Sequence, residues 1–220
     1  MPQPAERQAL ALSARSFRLL GANLPTFAAC NLFWFLLCLP VVTAPAAFAA
    51  LYYVAELASR EQPIRRRDFW AGFRQYLVKG TLLGLLDLLI VGVALVNLIF
   101  YDQMQSAIGP ILRVVWIVLG VFWGAAQVYL FPMLAVQLEP KVFWALRNAA
   151  MLTLAQPLFT LVVALQAVVL IAGSVLFVIP LICIGMAATA LFCCVAMNDR
   201  LDRLGLRRKP AEAPTEPAAE

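Results

Sequence analysis

One carboxylate stands deep inside an apolar run. Asp87 lies in GTLLGLLDLLIVGVALVNLIFY, residues 80–101, with no other charged residue type around it. A charged side chain at the middle of a membrane helix costs about 2.5–3.5 kcal/mol, so it calls for a partner or a function. The sequence offers a partner. Gly80, Gly84 and Asp87 follow one another at spacings of four and three, and Gly120, Gly124 and Gln127 repeat the pattern. Glycines four apart let helices approach closely, and each polar side chain shares a face with its glycines. If 80–101 and 111–137 are consecutive antiparallel helices turning near Ser106, Asp87 lies 19 residues before the turn and Gln127 lies 21 after it. That is a depth difference of about 3 Å. The spacing predicts an Asp87–Gln127 pair inside a helix bundle. Three chemistries fit: a structural hydrogen bond with Asp87 neutral or ionised, a proton- or ion-coupling carboxylate, or a group facing lipid or a partner.

Catalytic signatures are missing. The chain has no histidine, no phosphate-binding loop, no paired acids and no serine in a nucleophile setting, so we expect no enzyme, metal or cofactor. Its five cysteines, Cys30, Cys38, Cys183, Cys193 and Cys194, all fall in apolar runs and read as small packing residues.

The element that must position Asp87 is a membrane helix. The 220 residues are 63% hydrophobic and 13% charged, where soluble domains carry about 45–50% and roughly 25%. A hydrocarbon core of about 30 Å takes about 20 apolar residues, and such runs fill most of 24–198. Six segments are expected: 24–39, 45–59, 80–101, 111–137, 157–175 and 177–197. Gly173, Ser174 and Pro180 suggest a tight turn between the last two. The organisation is an amphipathic segment over 1–22, a transmembrane domain over 23–199, and a basic then disordered cytoplasmic tail over 200–220. A cleaved leader ending near Ala47-Phe48-Ala49 is disfavoured, being long and flanked by prolines.

Two further stretches read as helices on the membrane surface. Residues 64–79, IRRRDFWAGFRQYLVK, set Trp70 among Arg65, Arg66, Arg67 and Arg74; residues 140–155, PKVFWALRNAAMLTLA, set Trp144 beside Arg147. Aromatic rings favour the headgroup level and arginine stems snorkel there. These residues form a surface for anionic lipid headgroups or a cytoplasmic partner. Nucleic acid is not expected, because the basic residues adjoin spans and no recognition module accompanies them. The shared words FWAGFR and FWALR suit either an internal repeat or convergent interfacial chemistry.

Pro40 and Pro45 decide the sidedness. If 24–57 is one kinked span, the loops and tail on one side carry thirteen Lys and Arg against four. If the chain turns back at the prolines, the count becomes sixteen against one, with only Arg113 opposite. Cytoplasmic loops hold the basic excess, so the hairpin, with both termini cytoplasmic, fits better. Pro40 ends the first helix and Pro45 suits the first turn of the second. Sixteen residues reach only about 24 Å, so a re-entrant loop also fits.

NLFWFLLCLPVVTAPAAFAALYYV, followed by a basic loop and DFWAGFRQYLVKGTLLGLL, resembles the YesL family of bacterial membrane proteins, a domain of unknown function. The likeness covers residues 20–90. It implies a multi-pass protein of the bacterial cytoplasmic membrane associated with carbohydrate uptake, with no catalytic residue to carry over. Together these readings predict an all-α polytopic bundle with cytoplasmic amphipathic helices. Its role is that of an accessory or regulatory component next to a transporter subunit. The alternatives are a small homo-oligomeric transporter or channel using Asp87 and, behind both, an enzyme acting on lipid.

Overall fold

The structure, a computed structural model, describes residues 5–104, 106, 108–137, 139–176 and 184–206. Among these residues every regular element is a helix. In chain order they are α1 (Ala5–Ala22), α2 (Leu24–Cys38), α3 (Ala44–Ser59), α4 (Arg66–Asp102), α5 (Gly109–Val136), α6 (Val142–Ala155), α7 (Pro157–Leu176) and α8 (Met186–Arg203).

Two helices form the centre. Most of α3 and most of α8 are buried, because alanine dominates α3 and small residues run through α8, letting neighbours close in from several sides. Around them stand α1, α2, α4, α5 and α7, while α6 lies across α5 and α7.

The segment carrying both prolines is a helical hairpin, not one kinked span. α2 ends at Cys38 and α3 begins at Ala44 with Pro45 in its first turn. Thr43 Oγ1 donates to the Leu37 carbonyl and ties the turn. Trp34 and Phe48 meet edge to face across the pair at 5.2 Å. Val41 at the tip has φ +57°, a left-handed conformation that β-branched side chains rarely adopt.

Residues 64–79 are not a separate surface helix. From Arg66 they run without a break into 80–101, giving a 37-residue α4 about 55 Å long. The single glycine there, Gly80, costs a helix only about 1 kcal/mol and is packed against α3, so the change from basic-aromatic to aliphatic composition marks a change of solvent, not an end of structure. FWALR is used differently: α6 stops at Ala155, before Gln156 and α7. α7 runs through Gly173 and Ser174 to Leu176, and the turn expected between it and α8, with Pro180, lies outside the described residues.

Among the described residues three helices, α4, α5 and α7, are long and apolar enough to cross a membrane, or four spans if α1 and α2, bent by 92°, count as one. At 15 and 16 residues, α2 and α3 reach only about 22–24 Å each. Of the six expected segments, the first two expected as a short hairpin, the described residues thus provide three or four of membrane length, and residues 177–183 of the last lie outside the described residues. α1, expected on the membrane surface, packs on α7 and α8 and buries Leu12, Leu19 and Leu20, leaving Leu10 and Phe17 exposed. The tail beyond Leu206 lies outside the described residues.

The contacts of α4 show where the buried body ends. A Cβ at Gly72 would meet Tyr53, one at Gly80 would meet Ala46 and Ala49, and one at Gly84 would meet Pro45. α3 thus runs antiparallel to the first half of α4 and stops near Gly84. Beyond that level Leu85, Leu88, Leu89, Val96, Ile99 and Phe100 are exposed, as are Ile111, Val114 and Val118 on α5. A hydrocarbon solvent makes such a surface favourable. Lys79 lies at its near end; the Arg113–Asp102 ion pair closes its far end. Lys79 and Asp102 are separated by about 35 Å of helix, close to the thickness of a hydrocarbon core.

Candidate functional site

Asp87 lies on α4 about 12 Å beyond Lys79. Gln127 Nε2 donates to Asp87 Oδ1, and Trp123 Nε1 donates to the same oxygen at 2.8 Å. The structure therefore brings Asp87 and Gln127 together across α4 and α5. Trp123 was not anticipated, although its position four residues before Gln127 places it on the same face. Two donors from a neighbouring helix offset much of the cost of a carboxyl group in lipid.

The glycines do not act as expected. Gly80 and Gly84 face α3, not α5, and Gly120 and Gly124 have open space where a Cβ would stand. The physical reason is Trp123. Its indole and the Gln127 amide bridge the two helices at Asp87.

The basic aromatic face sits where α4 begins. Asp68 Oδ2 accepts the backbone N–H of Arg65 at 2.7 Å and caps the helix. Arg65, Arg66, Arg67 and Arg74 are exposed. Trp70 is 41% exposed, with ring centroids 5.5 Å from Phe33, 6.0 Å from Phe69 and 6.1 Å from Phe73. Phe33 belongs to α2, so the hairpin fixes the indole while one edge stays open. On α6 the Arg147 guanidinium lies 5.1 Å from the Trp144 ring centroid, both side chains exposed.

A buried polar layer escaped sequence reasoning. Glu56 on α3 is 4% exposed. Its carboxylate accepts from Arg60 Nε at 2.6 Å, Asn198 Nδ2 at 2.9 Å and Ser59 Oγ at 3.3 Å. Nearby on α8, Arg200 is also 4% exposed. It donates to Gln156 Oε1 and, at 3.2 Å, to Gln8 Oε1, and it covers the Phe159 ring. Burial pulls its pKa below the usual arginine value, with Tyr129 and Asp199 opposing the shift. The available signal was ELASR, a Glu–Arg pair four apart; it reads equally as a solvated helix face.

Among the described residues no group of three or more Cys, Asp and Glu is placed to hold a metal ion. Cys30, Cys193 and Cys194 are buried free thiols, and Cys183 lies outside the described residues.

Apolar helices of membrane length, with every regular element among the described residues helical and a basic aromatic rim, fit the architecture of an integral membrane protein. Within it, a family model described as "Protein of unknown function, DUF624" matches residues 27–98. That stretch holds most of α2, all of α3 and most of α4, the unit in which Pro45 meets Gly84. No curated protein and no solved structure matches the chain.

Proposed function

We propose that this is a non-enzymatic accessory or regulatory protein of the bacterial cytoplasmic membrane, working beside a carbohydrate uptake system. Its working surface is the basic aromatic rim: Arg65, Arg66, Arg67, Trp70 and Arg74 on α4, with Trp144 and Arg147 on α6. The observation that carries this reading is the exposed indole of Trp70, held in place by Phe33, Phe69 and Phe73 and flanked by four exposed arginines. Anionic headgroups fit such a rim, at about 1 kcal/mol for each basic residue near the surface. A transporter subunit with an acidic cytoplasmic loop would use the same charges. The link to carbohydrate uptake comes from the YesL resemblance and is an analogy of family.

Charge supports a cytoplasmic assignment for the rim and both termini, sixteen Lys and Arg lying on that side in the hairpin reading. The Arg200–Gln8 hydrogen bond supports it too, since it joins the first helix to the last. In this layout α2 and α3 form a short hairpin dipping into one leaflet.

A second reading has one observation in its favour. Asp87 is only half-buried, and the α5 face with Gly120 and Gly124 is open, so a homo-oligomer could enclose the carboxyl group along a path. Affinity purification in mild detergent with mass spectrometry separates the two. The accessory role predicts a co-purifying permease subunit that is lost when Arg65, Arg66 and Arg67 are replaced by alanine. Purification of the chain alone, with proton or solute flux in liposomes that Asp87→Asn abolishes, would establish the second reading instead.

A further inference from the structure

One carboxyl oxygen of Asp87 is used by no other described residue. Oδ1 accepts from Trp123 Nε1, at 2.8 Å, and from Gln127 Nε2. Oδ2 accepts from neither, and it is not sealed away from the surface. Both hydrogen bonds are donated to the carboxyl group and none comes from it, so the free oxygen calls for a further donor. It stands about 12 Å beyond Lys79, within about 5 Å of the middle of a hydrocarbon core about 30 Å thick. The chain holds no base at that depth. The only Lys or Arg in segments 24–59, 80–101, 111–137 and 157–197 is Arg113, which pairs with Asp102 at the far end.

An approach to this oxygen runs along α5. Gly120, Gly124 and Gln127 share one helix face, and the Gln127 amide touches Asp87. Neither glycine has a neighbour where a Cβ would stand. Ile117 and Val121 flank them, both exposed. A further helix can lie close against such a face and reach the carboxyl group from it. Charge selects the occupant. Lipid chains cover the face and leave Oδ2 without a donor. A second copy of this chain brings another acid and no base.

We propose that a transmembrane helix of a partner protein packs along the Gly120–Gly124 face and sets a lysine or arginine against Asp87 Oδ2. Either charge alone is costly at that depth. Pairing them in a low dielectric offsets both costs, the more so because Trp123 and Gln127 already satisfy Oδ1. The inference rests on the accessory reading and specifies its partner: the neighbouring subunit carries a basic residue near the middle of one span.

The test uses the full chain, dye-labelled at its amino terminus, in phosphatidylcholine vesicles. The probe is a dye-labelled Leu–Ala helix of about 23 residues with one central lysine, or with leucine in its place. A central lysine meets the depth of Asp87 in either orientation. Oriented circular dichroism first confirms that both helices span. Energy transfer, titrated against the peptide-to-lipid ratio, should show the lysine helix binding at least about fivefold more tightly than the leucine helix. Asp87→Asn keeps an acceptor for Trp123 and Gln127 and should bring the two helices to parity. Gly120→Leu should weaken the lysine helix by crowding the face. Gel filtration checks that each variant stays monodisperse; if Gly120→Leu does not, Asp87→Asn carries the test. Equal affinity of both helices for the wild type would overturn the proposal, as would a lysine preference unchanged by Asp87→Asn. Transfer between two labelled copies of the chain that Gly120→Leu abolishes would assign the face to a second copy and overturn it too. Replacing Arg65, Arg66 and Arg67 by alanine should leave peptide binding unchanged. The basic rim, read by purification of a permease subunit, and the Asp87 contact, read by the peptide, therefore fail separately.

Discussion

Gly84 and Pro45 touch. A side chain at Gly84 would collide with the Pro45 ring, its Cβ falling 2.6 Å from Pro45 Cγ. The contact lets α3 lie close against α4 at the level where the buried body ends. Gly84→Ala should therefore destabilise by about 1–3 kcal/mol, the usual cost of overpacking. Gly124→Ala is the control. It meets open space, so helix propensity alone should make it neutral or stabilising by up to about 1 kcal/mol. Thermal unfolding of both variants in one detergent checks the contrast, and equal effects would show that the close approach does not matter.

The same contact shows how far the sequence could be read. Proline spacing predicted a turn between residues 40 and 45, because proline chemistry is local and acts on its own helix. The Asp87–Gln127 register was equally accessible, since a rigid rise of about 1.5 Å per residue carries over many turns. Glycine spacing was less informative. It states where a backbone can be approached and not which neighbour approaches, and here α3 fills the groove of α4 while Trp123 bridges to α5. The continuity of α4 was hidden for another reason. Hydropathy changes sharply at Lys79, but helix formation does not follow hydropathy, and the one glycine there, Gly80, costs only about 1 kcal/mol. Glu56 was hidden because Glu–Arg pairs four apart usually lie in water.

Val41 gives the second prediction. With φ +57° and its side chain largely exposed, it bears the left-handed penalty of about 1–2 kcal/mol without packing to offset it. Val41→Gly relieves the strain but adds freedom to the unfolded chain, so the net gain should be about 0.5–1 kcal/mol. Val41→Ala should gain less. A higher unfolding temperature for alanine than for glycine would argue against a left-handed tip.

Asp87 gives the third. Two donors converge on one carboxylate oxygen, and an asparagine can present a carbonyl oxygen in the same place. Asp87→Asn should therefore hold stability to within about 1 kcal/mol. Asp87→Leu removes the acceptor from both Trp123 and Gln127 and should cost about 1–3 kcal/mol, less where the freed groups reach water or headgroups. Unfolding of the two variants in lipid nanodiscs distinguishes the cases. A larger loss for asparagine than for leucine would contradict an anchoring role.

Glu56 gives the fourth, and it concerns assembly of the whole body. Three donors from α3, α8 and the chain after α3 end on this carboxylate: Ser59, Asn198 and Arg60. Asn198 also donates to Ser59 Oγ at 2.7 Å, so removing the carboxylate disturbs a network rather than one bond. Arg60 is partly exposed and can turn to water, whereas Asn198 is buried and cannot. Glu56→Gln keeps an acceptor for Asn198 and should cost little more than the ion pair with Arg60. Glu56→Leu leaves the Asn198 amide short of its partner and should cost about 1–3 kcal/mol. The loss should appear where α3 meets α8, as faster amide exchange in residues 52–59 and 194–200 while α6 is unchanged. Uniform exchange across every helix would instead show that Glu56 acts on global stability alone. Adding Asn198→Leu to Glu56→Leu should then recover part of the loss, because an apolar pair removes both unsatisfied groups together.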